Sequence, residues 1–171
     1  KTFNLSKIDH FVENTLNNQY TDINELKDDY NLYDPVEGGF HRYGTKRDWT
    51  PPHFEKMLYD NVRLLKAYVH LQQINPDNNF ANEVVNGTLN YIKNNWYDAE
   101  EGGFYGNTDV NGEEAYYGSK NRGINGELPL ARVEKTKFTD WNSEAIMTYL
   151  YLFSLTGEDE YKEMTKDSLD F

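Results

Sequence analysis

Apolar residues fall into two kinds of helical pattern along this chain. Phe80, Val84, Val85, Thr88, Leu89, Ile92 and Trp96 form a single stripe with polar residues between them, and Ile8, Phe11, Val12 and Leu16 do the same near the start. By contrast, 54–71 is apolar on nearly all faces, with Met57, Leu58, Val62, Leu64, Leu65, Ala67, Tyr68 and Val69. So is 145–155, with Ile146, Met147, Tyr149, Leu150, Tyr151, Leu152 and Phe153. A helix with one stripe lies on a surface, whereas one that is apolar all round is buried. Their alternation predicts an all-α chain in two layers, an inner ring and an outer ring. That is a partial α/α toroid in which each repeat is one hairpin. Inner helices are expected over 54–71 and about 141–155. No sheet is expected beyond short ribbons near the glycine turns, because neither pattern has a strand's period of two.

Turn chemistry marks the same borders. Thr50 can cap a helix starting at Pro51, since proline suits the first helical position. Thr139 or Asp140 can cap the later inner helix. Pro76-Asp77-Asn78-Asn79 and Thr156-Gly157-Glu158-Asp159 read as the turns from inner to outer helices. An internal repeat runs through this pattern: Tyr33-Asp34 leads to Gly38-Gly39-Phe40, and Tyr97-Asp98 leads to Gly102-Gly103-Phe104. The stretch from 105 to about 137 is long, polar and glycine-rich, the kind of loop that is functional or disordered. Residues 1–171 are expected to be a single helical domain. Lys1 is not an initiating methionine and Phe171 ends the chain inside a helical pattern, so the expectation is a piece of a larger toroid.

Composition narrows the function classes. A formal net charge of −12 argues against nucleic-acid and anionic-membrane partners, both of which need a basic footprint. No apolar run approaches a membrane span and no signal peptide is visible, so a cytoplasmic location is expected. The chain has no cysteine, which excludes disulfides and thiolate metal sites. Histidines 10, 41, 53 and 70 lack zinc-ligand spacing, and there is no phosphate-binding loop, dinucleotide fingerprint or nucleophile elbow, so no metal or cofactor is expected. Aromatic residues are 15% of the chain, including 14 Tyr and 3 Trp. Rings with a flat apolar face and a polar tip suit sugar stacking, and equally suit a helical core.

Candidate chemistry concentrates between residues 33 and 61. On a helix starting at Pro51, His53, Lys56 and Asp60 would share one face and line the mouth of the ring. Histidine as a residue type can exchange a proton near neutral pH, so His53 is a candidate acid or base, or a structural residue of a buried turn. Glu55 and Asp60 are a candidate carboxylate pair for glycoside chemistry, or members of ion pairs with Lys56 and Arg63. Arg42, Tyr43 and Trp49 are candidate ligand contacts, a guanidinium fork beside stacking rings. Alternatively Trp49 plugs the end of the ring and Arg42 pairs with Asp48. Trp141 and Asn142 hold the equivalent place before the later inner helix and are candidates for the same role.

The run Gly38-Gly39-Phe40-His41-Arg42-Tyr43, the pair Asp48-Trp49 and the segment Pro52-His53-Phe54-Glu55-Lys56-Met57-Leu58-Tyr59-Asp60-Asn61 resemble thioredoxin-domain-containing proteins of the spermatogenesis-associated protein 20 type. Gly102-Gly103-Phe104-Tyr105 and Thr139-Asp140-Trp141-Asn142 fit the same family in order and spacing. The resemblance implies a helical toroid similar to six-hairpin glycosidases and to N-acylglucosamine and cellobiose 2-epimerases. It also implies a thioredoxin-like domain as partner within the full-length protein, although this chain contains no such segment. Gly106-Asn107-Thr108-Asp109 departs from the more acidic run of the family. Two functions follow as expectations. One is a carbohydrate-active domain that binds, isomerises or hydrolyses a sugar-like small molecule at the mouth of the inner ring. The other is a non-catalytic binding or scaffold module. An incomplete ring would also leave an open apolar edge, through which self-association is expected.

Overall fold

The computed structural model describes residues 32–47, 52–109 and 132–169. Four helices make 54% of it helical. Helix α1 (Leu58–Ile74) and helix α2 (Asn79–Asn95) form one hairpin, and α3 (Thr139–Thr156) and α4 (Asp159–Asp167) form the next. Helix α1 packs on both α2 and α3, and α3 packs on α4. The two helices read as apolar all round are therefore neighbours in an inner layer, and the one-sided α2 lies outside them. Asn78 caps α2 by accepting from the Ala81 amide at 2.9 Å. Gly157 ends α3 in the left-handed region, at φ 71°, where a glycine carries no Cβ penalty.

Three expectations need correcting. The inner helix does not begin near Pro51 but at Leu58, and the Thr50–Pro51 start lies outside the described residues. The segment before it is extended and paired. Strand β1 (Tyr43–Gly44) meets β2 (Pro52–His53) antiparallel, with Tyr43 opposite His53. Strand β3 (Lys56–Met57) enters a three-stranded antiparallel sheet with β4 (Asn107–Asp109) and β5 (Arg132–Glu134), in the order β3-β4-β5. The sheet joins the two repeats and so exceeds ribbons beside the glycine turns. Finally, neither inner helix has a side-chain cap: Met57 and Phe138 hold the cap positions, and Thr139 and Asp140 are the first helical residues. The Leu58 amide is satisfied instead by the Gly106 carbonyl at 2.8 Å, across the repeat boundary.

Each repeat is closed by the same clasp. In the first, Asp34 turns the chain: its Oδ1 accepts the Val36 and Glu37 amides, and its backbone exchanges bonds with Gly38 and Gly39. The Lys56 ammonium then bonds Asp34 Oδ2 and the Gly38 carbonyl, both at 2.8 Å. Asn61 holds the Phe40 backbone from both sides, accepting from its N–H at 2.6 Å and donating to its carbonyl at 3.0 Å. The second repeat substitutes Asp98, Lys137, Gly102, Asn142 and Phe104 into the same bonds. Gly38 and Gly102 have φ of 83° and 75°. A Cβ on Gly38 would lie 2.1 Å from the Gly87 carbonyl of α2, and one on Gly102 would lie 2.0 Å from the Asp167 carbonyl of α4. The double glycines are thus where each outer helix presses on its loop.

The core runs through both hairpins. Trp96, Tyr149, Phe54, Phe104, Leu58 and Leu65 are among its fully buried members. The prediction that α3 is buried all round fails in part. Met147, Leu150 and Leu155 are 57%, 46% and 44% exposed, so one side of this helix stays in solvent.

Candidate functional site

The clasps bring a polar cluster together just before α1. Strands β1 and β2 carry Tyr43 and His53 opposite one another, and their rings stack at 4.8 Å and 28°. Arg42 donates through its backbone to the Glu55 carbonyl at 2.8 Å and through Nη1 to Glu55 Oε2 at 2.7 Å. Asn107, from the second repeat, donates to Glu55 Oε1 at 3.0 Å. Sequence reasoning missed Asn107. It lies opposite Met57 in the sheet, a long-range pairing that leaves no trace in periodicity.

The structure places the predicted residues as follows. Arg42, Tyr43, His53 and Glu55 converge. Arg42 pairs with Glu55, while Asp48, its alternative partner, lies outside the described residues; Lys56 pairs with Asp34. Trp49 lies outside the described residues. His53 is on β2, so it does not sit in the positive end of a helix dipole. The Glu55 amide donates to His53 Nδ1 at 3.3 Å, and the Glu55 Oε2 oxygen lies 4.0 Å from the same nitrogen. Lys56 is not at the mouth. It is 2% exposed, beneath the glycine loop, with its ammonium 4.0 Å from the Tyr91 ring centroid. Asp60 sits in the first turn of α1. Burial pushes its carboxyl up, while the Arg42 and Arg63 charges pull it down and Glu55 pushes it up again. Arg63 pairs with Glu144 at 2.7 Å. Trp141 is half-buried and lies 6.2 Å from Tyr59 and 4.5 Å from Phe138 between ring centroids. Asn142 is 1% exposed and its amide is committed to the backbone of Phe104 and Phe138, the duty of Asn61 in the first repeat.

The second repeat serves as an internal control. Its Gly106 amide bonds the Thr136 carbonyl at 2.9 Å, as Arg42 bonds Glu55, and Asn107 lies opposite Glu134, as Tyr43 lies opposite His53. The positions of Arg42, Tyr43, His53 and Glu55 are therefore held there by Gly106, Asn107, Glu134 and Thr136. The clasp recurs unchanged, while the residues at these four positions do not. Among the described residues, no group of three or more His, Asp or Glu could hold a metal ion, and no helix is long and apolar enough to cross a membrane.

The fold is that of the helical toroids found in sugar-processing enzymes. A family 76 glycoside hydrolase from a bovine Bacteroides thetaiotaomicron strain superposes with TM-score 0.58 at 14% identity, over 81% of this chain and 26% of that one. Cellobiose 2-epimerase from Spirochaeta thermophila gives TM-score 0.58 at 20% identity, over 81% of this chain and 30% of its own. In sequence, the chain is 45% identical over 79 residues to spermatogenesis-associated protein 20 of Rattus norvegicus and 43% to that of Homo sapiens. Each match covers 46% of this chain but 10% of the relative's length. No family model matches the chain.

Proposed function

We propose that this chain supplies part of a site for a sugar or related polyhydroxy compound, at the mouth of the inner layer. The observation that carries the reading is the difference between the repeats. Both keep the clasp, but only the first places Arg42, Tyr43, His53 and Glu55 together in its mouth positions. Departures from a repeated pattern are expected where function overrides architecture. The Arg42 fork and the Glu55 carboxylate offer a donor and an acceptor for vicinal hydroxyls, and Tyr43, 46% exposed, offers a flat face. The fold shared with glycoside hydrolases and epimerases supports the ligand class and does not by itself assign a reaction.

The chemistry we favour is proton transfer. As an acid, His53 would give its Nε2 proton to a ligand oxygen from the imidazolium and end as the neutral ring, a second group taking the ligand's proton. Asp60, pushed up by burial, is the carboxyl better able to hold one, while Glu55 is tied to Arg42 and Asn107. The same engagement of Glu55 favours the second reading, a binding module without turnover. Calorimetric titration of mono- and oligosaccharides tests the site. Arg42→Ala should weaken binding, while His53→Gln should keep binding and lose any turnover found by screening. Full turnover in His53→Gln would end its acid–base role, and unaltered affinity in Arg42→Ala would remove the site from this cluster.

A further inference from the structure

We propose that the ligand spans at least two sugar units, one held by the Arg42–Glu55 cluster and the next by an aromatic shelf around Trp141. This rests on the polyhydroxy reading of the mouth given above. Trp141 occupies in the second repeat the place of Asp60 in the first: each stands four positions after the clasp lysine and one before the clasp asparagine. Helices α1 and α3 pack side by side, so these two positions flank one another at the start of the inner layer. Asp60 directly follows Tyr59, whose ring faces Trp141 at 6.2 Å, and it feels the charges of both Arg42 and Arg63.

The shelf has its own polar partner. The Arg63 guanidinium lies 3.9 Å from the Tyr59 ring centroid and reaches Glu144 at 2.7 Å. Tyr59 faces Trp141 at 6.2 Å, and Phe138 meets Trp141 at 4.5 Å. Packing of α1 on α3 accounts for the contact between Tyr59 and Trp141. It does not account for Phe138 being 38% exposed, nor for an Arg63 side chain 52% exposed beside it. Rings and a guanidinium–carboxylate pair at the rim repeat the components of the first cluster: a flat face, a donor fork and an acceptor. Two such patches near one half-buried carboxyl suit a ligand of two or more linked rings. Tethering the second ring to the first raises its effective concentration at the shelf.

The test compares each monosaccharide with its own oligomers on the intact chain. The probes are glucose, cellobiose and cellotriose, and mannose, α-1,6-mannobiose and α-1,6-mannotriose. At least one oligomer should bind about tenfold or more tighter than its monosaccharide. Trp141→Ala, checked for folding by its thermal melt, should remove that advantage and leave the monosaccharide affinity in place. Phe138→Ser, an exposed change, should reduce it in the same direction. Arg42→Ala should weaken both ligands. Equal affinity for monosaccharide and oligomer would overturn the two-unit ligand while leaving the polar site standing. An oligomer advantage intact in both Trp141→Ala and Phe138→Ser would overturn the shelf. Binding of none of the probes would overturn the polyhydroxy reading and the inference with it.

Discussion

Replacing Lys56 with methionine tests whether buried ion clasps hold the repeats. Lys56 and Asp34 are 2% and 1% exposed. The ammonium bonds Asp34 Oδ2 and the Gly38 carbonyl, both at 2.8 Å, with the Tyr91 ring beneath it. Methionine keeps most of the stem's volume and removes the charge. Asp34 retains the Val36 and Glu37 amides and His41 at 3.9 Å, but loses its ammonium. Removing one member of a buried pair costs about 3–5 kcal/mol, because an uncompensated charge stays inside. At Lys137 the side chain is 12% exposed and that of Asp98 10%, so water reaches the orphaned carboxylate. The same substitution there should fall between the buried value and the ~0–1 kcal/mol of an exposed pair. Adding Asp34→Asn to Lys56→Met removes both charges and should recover much of the loss. Urea unfolding followed by circular dichroism measures all four proteins, with the midpoint shift read at constant slope. A cost below about 1 kcal/mol for Lys56→Met, or no recovery in the double variant, would refute the clasp as an ionic lock.

Lys137 holds the Asp98 carboxyl well below the usual range against the opposing pull of burial, with Tyr105 and two amides assisting. The stability from that pairing is present above about pH 4, the unfolded value, and is lost as pH falls further toward the folded value. The melting-temperature gap between wild type and Asp98→Asn should therefore be flat from about pH 7 to 5 and close below about 4; a gap that widens on acidification would contradict it. Asp60 has the opposite sign: its raised carboxyl has its full stability below about pH 4 and loses it as pH rises through the folded value. Asp60→Asn should raise the melting temperature at pH 7, leave it unchanged near pH 3, and weaken ligand binding, as for a residue kept for function at a cost in stability. The exposed Met147, Leu150 and Leu155 should mediate self-association, seen as concentration-dependent mass in sedimentation and abolished by Met147→Glu with Leu150→Glu; a wild-type monomer at high concentration would exclude this face.

The layers were legible because burial has a period. Residues 80–96 and 145–155 show their helices in the spacing of apolar positions, and Asn78 and Gly157 mark turns by their own chemistry. The start of α1 was not legible. Proline and an apolar run downstream suggest a helix from Pro51, but β2 and β3 draw that segment into pairings with Tyr43 and with Thr108, the latter distant in sequence. Lys56 read as a mouth residue because its acceptor, Asp34, precedes the glycine turn. Asn142 read as a ligand contact because an asparagine beside a tryptophan looks chemical. The repeat held the corrective signal: Lys56 and Asn61, like Lys137 and Asn142, share one spacing, which marks both asparagines as architecture. Arg42, Tyr43, His53 and Glu55 stand out because their residue types depart from an ordinary turn, whereas Asn107 reaches Glu55 only through the sheet.

The polyhydroxy ligand proposed above would lie across Glu55, Asp60 and Trp141. The most direct test is a two-dimensional NMR titration of the isotope-labelled chain with a saccharide. Shifts should be confined to the amides of Arg42, Tyr43, Glu55, Asp60 and Asn107 and to the Trp141 indole. The turns at Asn75–Asn78 and Gly157, at the other ends of the inner helices, should stay still. Shifts centred on those turns, or none at saturating saccharide, would contradict it.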